Sequence, residues 1–238
     1  MRILLLSDLH GNFPALAAIA ARFPPTTFDL ICNCGDSTVY APFANEVLDW
    51  LQEHRVRTIR GNTDRKVVRL LQGRSFKKPR KPDKRIMYEH TARILAPANR
   101  DYLCSLKKKS IFTAGRHRIG LFHGSPADPD EFLFPDTPEA RLAELATQAA
   151  CTIIVTGHSH MPYHRQVRGV HFINPGSAGR MFDGDPRASH AILTLTDSGL
   201  QVHHYRTPYD IDQLVSRLQR EGLPSIYQTM YRQGRKLN

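Results

Sequence analysis

The order of elements along this chain predicts an α/β fold in which two β-sheets pack face to face with helices outside. Three observations carry that expectation. Apolar strand-length runs alternate with amphipathic helical stretches through Leu71, a βαβαβ order. From about residue 163 the pattern changes to short strands separated by turn residues. Finally, 238 residues with 41% hydrophobic content suit one large domain and leave little room for two complete ones. No linker composition marks a boundary.

Residues 1–6 form an apolar run ending at Ser7 to Asn12. A helix follows, with Asn12 as N-cap, Pro14 in the first turn and Leu16, Ile19, Ala20 and Phe23 at helical spacing. Pro24-Pro25 ends it. Phe28 to Cys32 is a second strand leading to Gly35-Asp36, and residues 43–54 form a helix with Val47, Leu48 and Leu51 on one side. Val56 to Ile59 is a third strand, and Asp64 caps a helix through Leu71. The basic segment 73–85 reads as a loop or hairpin at an edge. A helix spans Pro97 to Leu106, strands follow at 109–113 and 117–122, then a helix from Thr137 to Ala149 and a strand from Thr152 to Thr156. Strands near 163–167, 170–173, 189–196 and 200–206 precede a last helix at about 210–221.

Net charge is +11, from 33 Lys and Arg against 22 Asp and Glu, so the surface field favours polyanions. The excess concentrates in Arg74, Lys77, Lys78, Arg80, Lys81, Lys84 and Arg85, opposed only by Asp83. A solvated loop and a nucleic-acid or nucleotide contact are equally good readings of that run. No run approaches the length that spans a bilayer, and the apolar start is too short for a signal peptide, so the expected location is the cytoplasm with no membrane partner. Cys32 and Cys34 share a strand face too closely for an easy disulfide, and buried free thiols are expected for Cys32, Cys34, Cys104 and Cys151.

Polar residues recur at one kind of place, the end of an apolar run beside a glycine. The blocks are Asp8-Leu9-His10-Gly11-Asn12, Gly35-Asp36, Arg60-Gly61-Asn62-Thr63-Asp64, His123-Gly124 and Gly157-His158-Ser159-His160. Strand ends of open α/β sheets converge on a common crevice. Seven donors of this type (Asp8, His10, Asp36, Asn62, His123, His158, His160) suit Mn, Fe, Co, Ni or Zn better than a lone Mg or Ca site. Asp8/His10 and His158/His160 are i,i+2 pairs, which on extended backbone face the same way. Any one block alone is weak evidence, since histidine pairs at strand edges are common; all five in order are not.

These five blocks resemble the calcineurin-like metallophosphoesterases, whose pattern is D-x-H, G-D, G-N-x-D/E, H-G and G-H-x-H. The phrasing is most similar to the small bacterial and archaeal phosphodiesterase branch, with further support from His123-Gly124-Ser125-Pro126, Asn174-Pro175-Gly176-Ser177 and Pro186-Arg187-Ala188-Ser189. The resemblance covers residues 1–222, leaving 223–238 as a basic C-terminal tail. It implies a four-layer α/β/β/α sandwich of two mixed β-sheets with helices on the outer faces. It also implies two divalent ions, Mn first among the candidates: Asp8, His10, Asp36 and His160 resemble ligands of one, and Asp36, Asn62, His123 and His158 ligands of the other. Asp36 and Asn62 are then central to catalysis, and a hydroxide bridging the ions would attack a phosphodiester or phosphomonoester. Asn12 and Arg60 are candidates to hydrogen-bond the substrate.

One position departs from the pattern. Many family members carry a histidine directly after the asparagine, where it helps the leaving group depart, and here that residue is Thr63. A hydroxyl is a poor general acid near neutral pH. Two other readings compete with the hydrolase: a non-catalytic, protein-binding scaffold of the same fold, and a phosphoprotein phosphatase. Retention of all seven donors weighs against the first. The oligomeric state is not legible in the sequence.

Overall fold

The computed structural model describes residues 1–238. The first sheet contains β1 (Arg2–Leu6), β2 (Leu30–Asn33), β3 (Arg57–Thr58), β9 (Ala188–Thr196) and β10 (Gly199–Thr207), in the order β10-β9-β1-β2-β3. The second contains β4 (Lys109–Ala114), β5 (His117–Phe122), β6 (Ile153–Val155), β7 (Tyr163–Val167) and β8 (Val170–Asn174), in the order β4-β5-β6-β8-β7. Both are mixed. β1 runs parallel to β2, with Ile3 opposite Leu30, and antiparallel to β9, with Leu5 opposite Ala191. β6 is parallel to both β5 and β8, and β4 and β7 close the edges antiparallel.

The helices are α1 (Phe13–Arg22), α2 (Ala44–Glu53), α3 (Asn62–Leu71), α4 (Pro82–Ile94), α5 (Pro97–Ser105), α6 (Glu139–Ala149), α7 (Ile211–Arg220) and α8 (Ile226–Gln233). The period of two in β1 divides the core. Ile3 and Leu5 join Cys32, Cys34, Ile119, Leu121, Ile153, Val155 and Leu193 in a cluster between the sheets. Leu4 and Leu6 point the other way, onto Leu16, Ile19, Val47, Leu48 and Leu51 from α1 and α2. A third cluster packs Leu142, Leu145 and Ala146 of α6 on Phe122, Ile154 and Phe172. Three apolar interfaces make four layers, and burial of each Leu or Ile contributes about 1.5–3 kcal/mol.

Two stretches differ from the sequence reading. Within the segment expected as a loop or hairpin, residues from Pro82 onward begin α4, which buries Met87, Tyr88, His90 and Thr91. Pro82 stands in the first turn with Asp83, both favourable there. The dense charge masked a narrow apolar stripe. The stretch expected as a basic tail contains α8, whose Tyr227, Met230 and Tyr231 are buried in the main core. Of the four thiols, Cys104 is exposed and the others are buried; none is paired. No helix is long and apolar enough to cross a membrane.

Candidate metal centre

The five blocks meet where the two sheets' strand ends converge. β1 runs into Asp8 and His10, β2 into Asp36, β5 into His123, and β6 into His158 and His160. The i,i+2 pairs do not lie on extended backbone, contrary to expectation. Asp8 (φ 52°), His10 (φ 49°), Asp36 (φ 52°), His158 (φ 64°) and His160 (φ 60°) are all left-handed. Such a conformation costs of order 1–3 kcal/mol per non-glycine residue and persists only where surroundings over-determine it. Here they do. The amides of Asp8, His10 and Gly11 donate to the carbonyls of Gly35 (2.9 Å), Asp36 (2.8 Å) and Ser37 (2.9 Å), locking the first loop onto the second.

The residues after β8 complete the lock. Asn174 Nδ2 donates to the Gly157 carbonyl (2.8 Å) and Ser159 Oγ (3.0 Å), fixing the loop that carries His158 and His160. Ser177 Oγ donates to the Asp8 carbonyl at 2.7 Å, and Ser189 Oγ to that of Pro175 at 2.7 Å. So the Asn-Pro-Gly-Ser run and the later Ser189 hold donors in place without being donors. Gly61 is required by close approach: a Cβ there would sit 2.1 Å from Asp36 Oδ1.

Two groups of side chains result, each able to hold an ion. Asp8, His10 and His160 form one, Asp36, His123 and His158 the other, with ligand atoms of each lying within 4.8 Å of one another. His10 Nε2 and His160 Nε2 are 3.2 Å apart, and Asp8 Oδ1 is 3.4 Å from the latter. In the other group His123 Nε2 lies 3.4 Å from Asp36 Oδ2 and 3.0 Å from Asn62 Oδ1. All seven sequence-expected donors are therefore brought together.

The outer contacts decide which atoms are free. Nδ1 of His123 donates to the Cys34 carbonyl at 2.9 Å, and Nδ1 of His10 and of His160 face the carbonyls of Thr38 and Arg180. That leaves Nε2 of each as the lone-pair nitrogen, the arrangement that outer hydrogen bonds impose on metal-binding histidines. His158 places Nε2 3.2 Å from the Asp130 carbonyl and leaves Nδ1 free. Asp8 Oδ2 accepts from Ser7 Oγ (2.6 Å) and the His158 amide (3.0 Å), while Oδ1 is buried with no hydrogen-bond partner. An orphaned carboxylate oxygen beside two aimed imidazole nitrogens fits a cation.

Charge within the group agrees. Burial works against the charged form of Asp8, yet His160 and His123 beside it hold the carboxyl down at about 2. Burial likewise opposes charge on Asp36, and His123 outweighs it, keeping that carboxyl well below the ordinary range. Burial and His160 press His10 down to about 3; burial and His123 press His158 to about 4. Both imidazoles are thus neutral at neutral pH, the form that binds metal. His123 is the exception: it is raised to about 9, since Asp36 overcomes the effect of burial. Without an ion it is therefore protonated at neutral pH, and binding one would release that proton from Nε2.

Asp64 is the third residue inside α3, not its cap. Its carboxylate accepts from the amides of Gly61 (3.1 Å), Ser37 (3.1 Å) and Thr38 (3.0 Å), so it ties the Asp36 loop to the Asn62 loop. Asn12 and Arg60, expected to touch substrate, do not line the cavity over the donors. Asn12 is consumed as the α1 cap, accepting from Ala15 N and donating to the Gly179 carbonyl at 2.8 Å. That cavity, of about 670 Å³, is walled instead by Thr63, Lys66, Tyr88, Arg180 and Phe182 among others. Sequence reasoning passed over Lys66 and Arg180 because neither stands in a donor block.

Comparison with known proteins agrees with this architecture. A crystal structure of a metallophosphoesterase from Sphaerobacter thermophilus superposes with a TM-score of 0.82 at 26% identity, covering 98% of this chain and 99% of that one. A hypothetical protein from Pyrococcus horikoshii shares the fold, with a TM-score of 0.88 at 20% identity over 99% of both chains. A probable metallophosphoesterase of Bacillus subtilis is 25% identical over 219 residues, 92% of this chain and 99% of its own. Residues 1–198 match the model of the calcineurin-like phosphoesterase superfamily domain. The chain belongs to the calcineurin-like phosphoesterase superfamily and is a metal-dependent phosphoesterase.

Proposed function

We propose that the protein hydrolyses phosphodiester or phosphomonoester bonds with two divalent ions, one on Asp8, His10, Asp36 and His160 and one on Asp36, Asn62, His123 and His158. The observation that carries this reading is the pairing of two three-residue donor groups, with Asp36 and Asn62 against the same imidazole and Asp8 Oδ1 left without a partner. Two such ions, when bound, supply a nucleophile from water at neutral pH and charge stabilisation for the phosphoryl oxygens. Mn is the first candidate, because the set mixes carboxylate, amide and imidazole donors.

The chain's own part is to hold those donors rigid and to shape the approach. Asp36 is pinned by the Thr63 amide, which donates to Oδ1 at 2.8 Å, so its Oδ2 faces His123. Asn62 adds a neutral oxygen, which keeps net charge in the site positive toward a phosphate. The Thr63 hydroxyl lies 3.4 Å from the Thr38 carbonyl and has no role as a proton donor at neutral pH.

The test combines metal content with turnover. Protein purified, stripped and reloaded with Mn should bind two ions per chain and cleave bis-p-nitrophenyl phosphate. Asp36→Asn should keep its fold by circular dichroism, lose ion binding, and fall in turnover by about 10²-fold or more. A single bound ion, or near wild-type turnover in that variant, would show the two-ion mechanism to be wrong.

A further inference from the structure

The cavity over the donor groups is lined by six cationic side chains: Lys66, Lys78, Arg80, Lys84, Arg180 and Lys236. They come from α3, the segment before α4, α4 itself, the stretch after β8, and the residues after α8. Every ion pair in the structure is made by other residues, so none of the six is held in a direct salt bridge. The cluster is more than solvated surface, because Arg180 is only 5% exposed.

Arg180 is held by aromatic rings and neutral atoms, with no carboxylate within ion-pair distance. Its guanidinium lies over the rings of Tyr40 (4.0 Å), Phe182 (5.0 Å) and Tyr227 (5.4 Å). Nη2 reaches Met230 Sδ and Asn238 Oδ1, each at 3.3 Å, and Nε has no partner. A buried cation sustained only by ring faces and neutral atoms is costly unless a ligand compensates it. Its neighbours add to the cost. Burial, then Lys236 and Arg180, pull Lys84 down to about 8, and burial and Arg180 lower Lys236 as well.

The positive charge exceeds what the scissile group can absorb. Asp8 and Asp36 do not neutralise two divalent ions, so the donor groups, once loaded, are already positive. A diester phosphate brings a single negative charge and a monoester at most two. The six cations therefore leave positive charge that the reacting phosphate does not balance, in a space of small-molecule size. We propose that the cavity takes a small organic phosphoester carrying a second phosphate group, which Arg180, Lys84 and Lys236 hold while the first sits on the donor groups. The assignment rests on the hydrolytic reading above. It also gives part of the basic run at 74–85 a role, since Lys78, Arg80 and Lys84 line the cavity.

Calorimetry with Mn-loaded protein tests this, using thymidine 5′-phosphate and thymidine 3′,5′-bisphosphate as probes. The bisphosphate should bind at least about tenfold more tightly. That preference should shrink severalfold in Lys84→Gln and in Lys236→Gln, both of which keep the stem and lose the charge. Equal affinities in the wild type, or a preference unchanged in both variants, would overturn the second phosphate site. Turnover of bis-p-nitrophenyl phosphate is read in parallel. Its absence alongside an intact bisphosphate preference refutes the hydrolytic reading and leaves the second site supported.

Discussion

The donor residues and the cationic residues line one cavity, yet they are built in opposite ways. Most donors stand in short loops that follow strands, and five of the seven (Asp8, His10, Asp36, His158 and His160) have left-handed backbone, the first loop being fixed by hydrogen bonds to the second. The cations come from elements that are far apart in the chain and meet only through packing. Arg180 and Lys236 both lie against the Phe182 ring, and Tyr227 of α8 packs at 5.5 Å on Tyr40, which in turn faces Arg180. Donor geometry is thus a local property of strand ends. Cation geometry depends on α4 and α8 being docked.

That contrast can be probed where it is strongest. Thr63 sits at the border, on the donor loop and in the cavity wall. With no imidazole there, turnover should fall steeply as leaving-group pKa rises, so aryl phosphoesters should be cut far faster than alkyl ones. Thr63→His should rescue alkyl substrates more than aryl ones, within the ~10²–10⁴-fold range of a general acid. A flat dependence of rate on leaving-group pKa in the wild type would mean that another group already supplies the proton.

The next effect tests the packed half. Tyr227→Ala removes a fully buried ring and should cost about 3–5 kcal/mol of stability in urea unfolding. The same variant should weaken bisphosphate binding more than Mn binding, because the donor loops are held by their own hydrogen bonds. Equal losses of both would show that the two halves are not independent.

The smallest effect separates the halves by pH. In metal-free protein, His10 and His158 stay neutral down to about 3 and about 4, well below the ordinary histidine value of ~6.5. The unfolded chain takes up those protons first, so melting temperature should fall as pH drops from about 6.5 toward 4. Lys84 behaves differently, with a folded value of about 8 against an ordinary ~10.4. Between those values the unfolded chain holds the extra proton, so stability should rise with pH from about 8 to 10, and Lys84→Met should flatten that rise. Melting curves across pH in chelator check both signs.

Much of the fold was legible because β1, β2, β5 and β6 are apolar runs bounded by glycine-containing polar blocks. Strand period and turn chemistry are encoded by neighbours in the chain. The two helices that escaped the sequence reading, α4 and α8, share a different physics. Each is short of apolar residues and crowded with Lys and Arg or flanked by them, so its periodicity is weak, and tertiary burial of Tyr88, Tyr227 and Tyr231 stabilises it.

The same division runs through the site. The sequence alone determined which seven side chains could gather, since each lies at a strand end and the strand order brings those ends together. It did not determine how they face one another. Asp8 and His10 share a direction through left-handed backbone that the Gly35–Ser37 carbonyls impose, not through an extended strand. Nor did it assign Asn12, Arg60 or the basic run their places. A capping residue and a substrate contact are the same asparagine until the Gly179 carbonyl claims its amide. A charged stretch names no partner until packing sets Lys84 beside Arg180 and Lys236. Short-range hydrogen bonding is written in adjacent residues, whereas the convergence of charges from α3, α4 and the chain's last residues exists only once the core has formed.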